Sequence, residues 1–381
     1  MIPKYSSYQF AIIALLALVP NLLSAEGYKL SVLVANKQIY APQILDPHVV
    51  NPWGLAIRPA GAGGHFWVSN TGTGTVSLYV GDTKEKALYQ DEVPFITIAA
   101  PKNSKEKQSE PTGQVFNGND NEFTITQEGL TGPAKFMFAT KGGTISAWTE
   151  KKNEDGTFIR PKTSLLMVDN SKKGTAYKGL ALSKKPENNY LYAADFVGKK
   201  IDVFDNSFKP AKLGTNAFVV PNNAIPAGYG PFNIKEVGGA LYVAYAKLEP
   251  KAKEAGKEVK GEGLGYVAEF DFDGTFKRLL DGGKSFNAPW GVTLAPADFG
   301  KYSGAILVGN FGDGRIIAFD KQSGKQLGLL STPTGEPIEI DGLWGMLFGN
   351  GVHLGQSNHL YFSAGPDDEK NGVFGKLVPV D

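Results

Sequence analysis

The chain has 381 residues, no cysteine and a formal charge of +1 at pH 7. The lack of cysteine excludes disulfides, thiolate metal sites and thiol catalysis. The near-neutral charge excludes the broad field that would draw nucleic acid or an acidic membrane surface. The first element in the chain is an unbroken apolar run over residues 10–19 (FAIIALLALV), closed by Pro20 and the small residues Ser24 and Ala25. It is short for a spanning helix, which needs about 20 apolar residues, and it reads as a secretory signal over residues 1–25. A secreted or periplasmic protein follows from that reading, with no membrane insertion once the signal is removed.

Residues 28–34 (YKLSVLV) form a strand-like segment, and after it a motif begins to recur. The first copy is NPWGLA at 51–56, followed by EPTGQV at 110–115 and AYKGLA at 176–181. GPFNI at 230–234, APWGVT at 288–293 and GLWGML at 342–347 complete six copies, about 54–66 residues apart, a spacing that suits propeller blades. After the copies come short runs of strand character bounded by Gly, Asn and Asp. Examples are 66–70 (FWVSN) leading to 75–79 (TVSLY), and 306–309 (ILVG) leading to 316–320 (IIAFD). Most units add a fourth, more polar strand such as 276–280 (FKRLL). The sixth unit runs out of chain after its third strand, at 373–377 (VFGKL), so the segment 28–34 is free to complete it and close the ring. The expected fold is all-β: a six-bladed β-propeller over residues 26–381, closed by an N-terminal strand completing the last blade. With 47 Gly and 23 Pro, about 18% of the chain, and 23 Phe and 15 Tyr, the composition suits many strands joined by tight turns. A closed ring needs no partner for its sheet edges, and a monomer is expected.

In a propeller the inner strand of each blade lines the central channel. The aligned positions Trp53, Thr112, Lys178, Phe232, Trp290 and Trp344 therefore fall in one ring near one face. Such a ring can stack on a sugar, a ring compound or a peptide, with Lys178 holding an anion or stacking as a cation. The bland alternative is that the tryptophans wedge between blades. A second set, Asn70, Asp195 and Asn310, ends the second strand of three blades. Oxygen ligands converging there would suit Ca²⁺ or Mg²⁺, which can polarise an ester or lactone carbonyl. Asp313, Asp367 and Asp368 lie in the following turns; yet Asn and Asp are also ordinary turn residues, and the same alternative applies to Glu110, Asn117, Asn119 and Asp120, which flank the second copy. The four histidines, His48, His65, His353 and His359, fall in no spaced pair. The stretch 247–263 alternates Lys with Glu and reads as a solvated loop.

The strings NPWGLA (51–56), SNTGTGTVSLY (69–79), PTGQVFNG (111–118), YKGLAL (177–182), GPFNI (230–234), LVGNFGDGRI (307–316), IDGLWG (340–345) and LYFSAGPDDE (360–369) together carry a resemblance. The chain resembles a family of uncharacterized exported bacterial β-propellers, distantly similar to NHL-type and lactonase-type propellers. The resemblance implies the fold and export and names no substrate. Two departures are the lysine-rich stretch 247–260, where many relatives are acidic or glycine-rich, and an end at Val380-Asp381 without a surface-sorting tail. Two functions stay open: an exported propeller that binds a small molecule, glycan or protein through the aromatic-lined face, and a Ca²⁺- or Mg²⁺-dependent lactonase-like hydrolase or lyase. The lack of an evident nucleophile or histidine base favours binding.

Overall fold

The computed structural model describes residues 26–380 except 103, 105–108 and 250–255, so the signal segment 1–25 lies outside the described residues. Six blade sheets follow one another in chain order, antiparallel except where Val34 and Ala35 pair in parallel with Ile44 and Leu45 in the last, and two short two-stranded ribbons lie outside them. Blade 1 is Pro52–Ala56, Phe66–Asn70, Thr75–Tyr79 and Phe95–Thr97. The inner strands of blades 2 to 6 are Pro111–Phe116, Tyr177–Leu182, Tyr229–Val237, Pro289–Leu294 and Leu343–Phe348. Each of the six repeat copies is thus an inner strand. These strands pack side by side in chain order around the axis, and blade 6 meets blade 1.

Closure is by the N-terminal strand. Gly27–Ala35 pairs antiparallel with Val373–Val380, so the last blade takes strands from both ends of the chain. Blades 1, 2, 4, 5 and 6 have four or more strands; blade 3 has three. After its third strand, Lys200–Phe204, the chain turns back and pairs with it only at a single bridge, Phe204 with Pro210, beside which Ala211 N donates to Val203 O; Pro210 has no backbone N–H with which to extend the ladder. Among the described residues no helix is long and apolar enough to cross a membrane.

The repeat sequence explains how the blades approach one another. Register with the second strand shifts at the motif in all six inner strands, which marks a bulge there. The motif glycine sits where that bulge meets the next blade. A Cβ on Gly54 would lie 2.4 Å from Thr112 O, and one on Gly345 would lie 2.4 Å from Trp53 O. Blade 4 has Asn233 at this place, and its side-chain amide donates to Trp290 O at 2.7 Å in the next blade. Ser363 donates to Trp53 O and Gln114 to Gly54 O, so buried polar groups tie neighbouring blades through backbone carbonyls. Apolar cores fill the gaps farther out, as where Trp67 of blade 1 stacks on Phe136 of blade 2 at 3.9 Å.

Candidate functional site

The axis has two ends, set by the direction of the inner strands. At the strand starts lie Trp53, Phe232, Trp290 and Trp344, joined by Phe196 and Phe311 from the ends of second strands. These rings are 0–4% exposed. Trp344 stacks on Trp53 at 3.6 Å and on Phe311 at 3.9 Å, and Trp290 meets both tryptophans edge-on. In place of an open aromatic-lined mouth, the rings form a plug with their faces turned to one another. Thr112, the sixth aligned position, is also buried and donates to Tyr177 O.

The indole N–H groups are satisfied within the plug. Asn51 Oδ1 accepts from Trp53 at 3.1 Å and from Trp344 at 3.0 Å, while its amide donates to Glu369 at 2.6 Å. Asn51 reaches this position with φ +46°, a left-handed conformation that Asn tolerates better than most residues. Trp290 donates to Lys178 O at 3.1 Å. The Lys178 ammonium lies 5.0 Å from the Trp53 ring and within 5.5 Å of Phe196 and Phe232, with Glu258 Oε2 at 3.4 Å. Burial lowers its pKa against the opposing pull of Glu258. Lys141 and Lys260 lie over Trp53 and Phe311. Sequence position thus brought Trp53, Lys178, Phe232, Trp290 and Trp344 together, as one packed cluster.

Asn70, Asp195 and Asn310 do end the second strands of blades 1, 3 and 5. Each is buried and engaged within its own blade. Asp195 Oδ1 accepts from the backbone N–H of Ala176 and Gly198. Asn310 accepts from Asn287 N and donates to Ser285 O. Asn70 donates to Thr75 and Ser77, and its Oδ1 is buried without a partner. Among the described residues no group of three or more His, Asp or Glu side chains is placed to hold a metal ion.

The opposite end is open. A cavity of 1040 Å³ is lined by the ends of inner strands 1, 2, 3, 4 and 6 and by the loops that follow them. Leu55, Val115, Phe116, Leu182 and Leu347 give it apolar walls; Arg58, Lys184, Lys185, Lys235, Asp120 and Glu236 supply its charges. Arg58 is tied to Glu150, which Arg160 also holds at 3.0 Å, and its guanidinium lies over Phe116. Asp120 pairs with Lys135, and Glu236 pairs with Lys184 at 2.5 Å. Asn117 and Asn119, read from the sequence as turn residues, do line the cavity while holding their loop: Asn117 accepts from Asn119 N and donates to Ala134 O.

Lys235 is different. It is half-buried on the cavity wall with no hydrogen-bond or ion-pair partner among the described residues. Loss of water pushes its pKa down to about 8, with Lys184 adding to the effect and Glu236 opposing it. The sequence reading passed over it, though the repeat carries a signal. Three positions after the aligned ring position, the six inner strands read Ala56, Val115, Ala181, Lys235, Thr293 and Leu347. One lysine stands among five uncharged residues.

These features define a closed six-bladed β-propeller with one sealed and one open axial end. No family model matches the chain. The chain belongs to the family of two proteins of Acanthamoeba polyphaga mimivirus. It is 32% identical over 355 residues to the uncharacterized protein R648, covering 92% of this chain and 80% of that one. To the uncharacterized protein L690 it is 31% identical over 355 residues, covering 92% and 86%. These relatives are viral, where the motifs implied bacterial ones. Among solved structures, the α-L-arabinofuranosidase Arb93A of Fusarium graminearum has a TM-score of 0.48 at 11% identity, covering 87% of this chain and 93% of that one. The soluble aldose sugar dehydrogenase of Escherichia coli has 0.47 at 13%, covering 93% and 100%. Likeness at this level says nothing of what this chain does.

Proposed function

We propose that this protein is an exported, non-catalytic propeller that binds a small polar molecule in the funnel at the ends of its inner strands. The observation that carries the reading is the asymmetry of the axis: buried aromatic rings fill one end, and the other holds a cavity of 1040 Å³. That volume is close to the upper end of ordinary small-molecule sites, about 300–1,000 Å³. Apolar walls with a few charged groups match the usual make-up of such sites. A ligand stacking on Trp53, Trp290 or Trp344 at the other face would first have to part rings that already stack on each other. Export rests on the apolar run at residues 10–19, and a monomer on the ring's own closure.

The test is a thermal-shift screen of sugars, sugar acids and short peptides against three forms of the protein: wild type, Gly118→Trp and Lys141→Ala. Gly118 lines the funnel, and a Cβ added there would meet only the Phe116 ring, at an ordinary contact distance of 3.4 Å, so a side chain can start from this position without backbone strain. Ligands lost only in Gly118→Trp support the funnel. Ligands lost only in Lys141→Ala would return the site to the plug face.

The metal-dependent hydrolase is a second reading, and the unpartnered Oδ1 of Asn70 favours it. It expects Ca²⁺ or Mg²⁺ at one ion per chain in the purified protein, and a fall of several degrees in Tm on chelation. A metal-free protein indifferent to chelator removes that reading.

A further inference from the structure

Resting on the funnel reading above, we propose that the ligand held there carries an anionic oxygen group, a carboxylate or a phosphate, and that Lys235 receives it. Both carboxylates of the cavity wall are spent: Glu236 on Lys184 and Asp120 on Lys135. Arg58 is held by Glu150, and Lys185 lies about 6 Å from the rings of Tyr190 and Phe272. Lys235 alone among the charged wall residues has neither a counter-ion nor a ring to lie against. An ammonium stripped of part of its water and left unpaired is costly, and such groups persist where something else is gained. The fold does not require it. Five other blades build the same register with Ala56, Val115, Ala181, Thr293 and Leu347.

A bound anion would supply the missing counter-charge and accept hydrogen bonds from an ammonium with three donors. The remainder of the ligand would lie against Leu55, Phe116 and Leu182. Binding needs Lys235 charged, so affinity falls as pH rises through about 8. The charged groups that face it are Lys184 and Glu236 beside it, and Arg58, Lys185 and Asp120 on the rest of the wall.

The probes are sodium D-glucuronate, inorganic phosphate and uncharged D-glucose, measured by calorimetry at constant ionic strength on the chain from residue 26. The expected result is saturable binding of at least one anion to wild type. Lys235→Gln should weaken it tenfold or more, Lys235→Arg should retain most of it, and raising the pH from 7 to 9 should weaken it in wild type. Binding of glucuronate alone identifies a carboxylate ligand, and of phosphate alone a phosphate-bearing one. No binding of either anion, or equal binding by Lys235→Gln, overturns the assignment. Glucose bound equally by wild type and Lys235→Gln but not by Gly118→Trp would preserve the funnel while removing the anion. Anions bound unchanged by Gly118→Trp would remove the funnel itself.

Discussion

At the scale of single residues, two positions show how the axis is built and what it costs. Lys235 is charged at neutral pH in both the folded and unfolded chain, and folding removes water from it without a counter-ion. Below pH 8 that penalty is carried in full. Between about 8 and the ordinary lysine value near 10.4, the folded chain sheds a proton that the unfolded chain keeps, so this group's penalty shrinks as pH rises. Lys235→Met should therefore raise Tm at pH 7, and the gap from wild type should narrow between pH 8 and 10 when both are melted across that range. Gly345 shows the opposite kind of constraint. Its absent side chain lets blade 6 close on blade 1, and a Cβ there would meet Trp53 O at 2.4 Å. Gly345→Ala should destabilise by about 1–3 kcal/mol, as overpacking a tight contact does, read from the midpoint of urea unfolding.

Between elements, buried polar groups join one blade to the next. Asp82, just beyond the third strand of blade 1, accepts from Lys376 Nζ at 2.7 and 2.8 Å and from the Tyr361 hydroxyl, both in blade 6. Asp82→Ala would leave an ammonium and a phenol unpaired at the closing seam. A loss of about 3–5 kcal/mol is expected, as for other broken buried pairs, with Tm as the readout. Glu122 does similar work between blades 2 and 3. Its burial would raise its pKa, but donors from Asn189, Asn206 and Asn188 outweigh that and hold it below the usual value. A carboxylate lowered in the folded state stabilises above its unfolded pKa, and that contribution is lost as pH falls through the folded one. Glu122→Gln should thus be less stable than wild type at pH 7, and the two should converge below pH 4 in chemical denaturation.

For the whole molecule, closure is the governing feature. Gly27–Ala35 and Val373–Val380 come from opposite ends of the chain, and their pairing completes the ring. Removing residues 1–35 would expose the edge of Val373–Val380 and uncover Tyr361 and Phe374. Relative to the chain from residue 26, that truncation should lose its sharp thermal transition and elute as dimers or aggregates in size-exclusion chromatography.

The repeat was legible because each blade needs the same local solution. Pro, a large residue and Gly recur where an inner strand must bulge and admit its neighbour, as at Pro52, Trp53 and Gly54, so blade number, strand order and closure follow from spacing. Sequence likewise placed Trp53, Phe232, Trp290 and Trp344 at one end of the axis. Whether those rings face a ligand or one another depends on the axis diameter and the rotamers that six converging strands permit, and only the assembled ring decided it. The same holds for Asn70, Asp195 and Asn310, whose residue types suit a turn and a metal equally until their hydrogen-bond partners are known. Lys235 was visible as an odd letter directly after the fourth copy. That it stands unpaired on a cavity wall depends on where Lys184, Glu236, Lys135 and Asp120 meet, and those pairings span residues and blades that the linear order does not bring together.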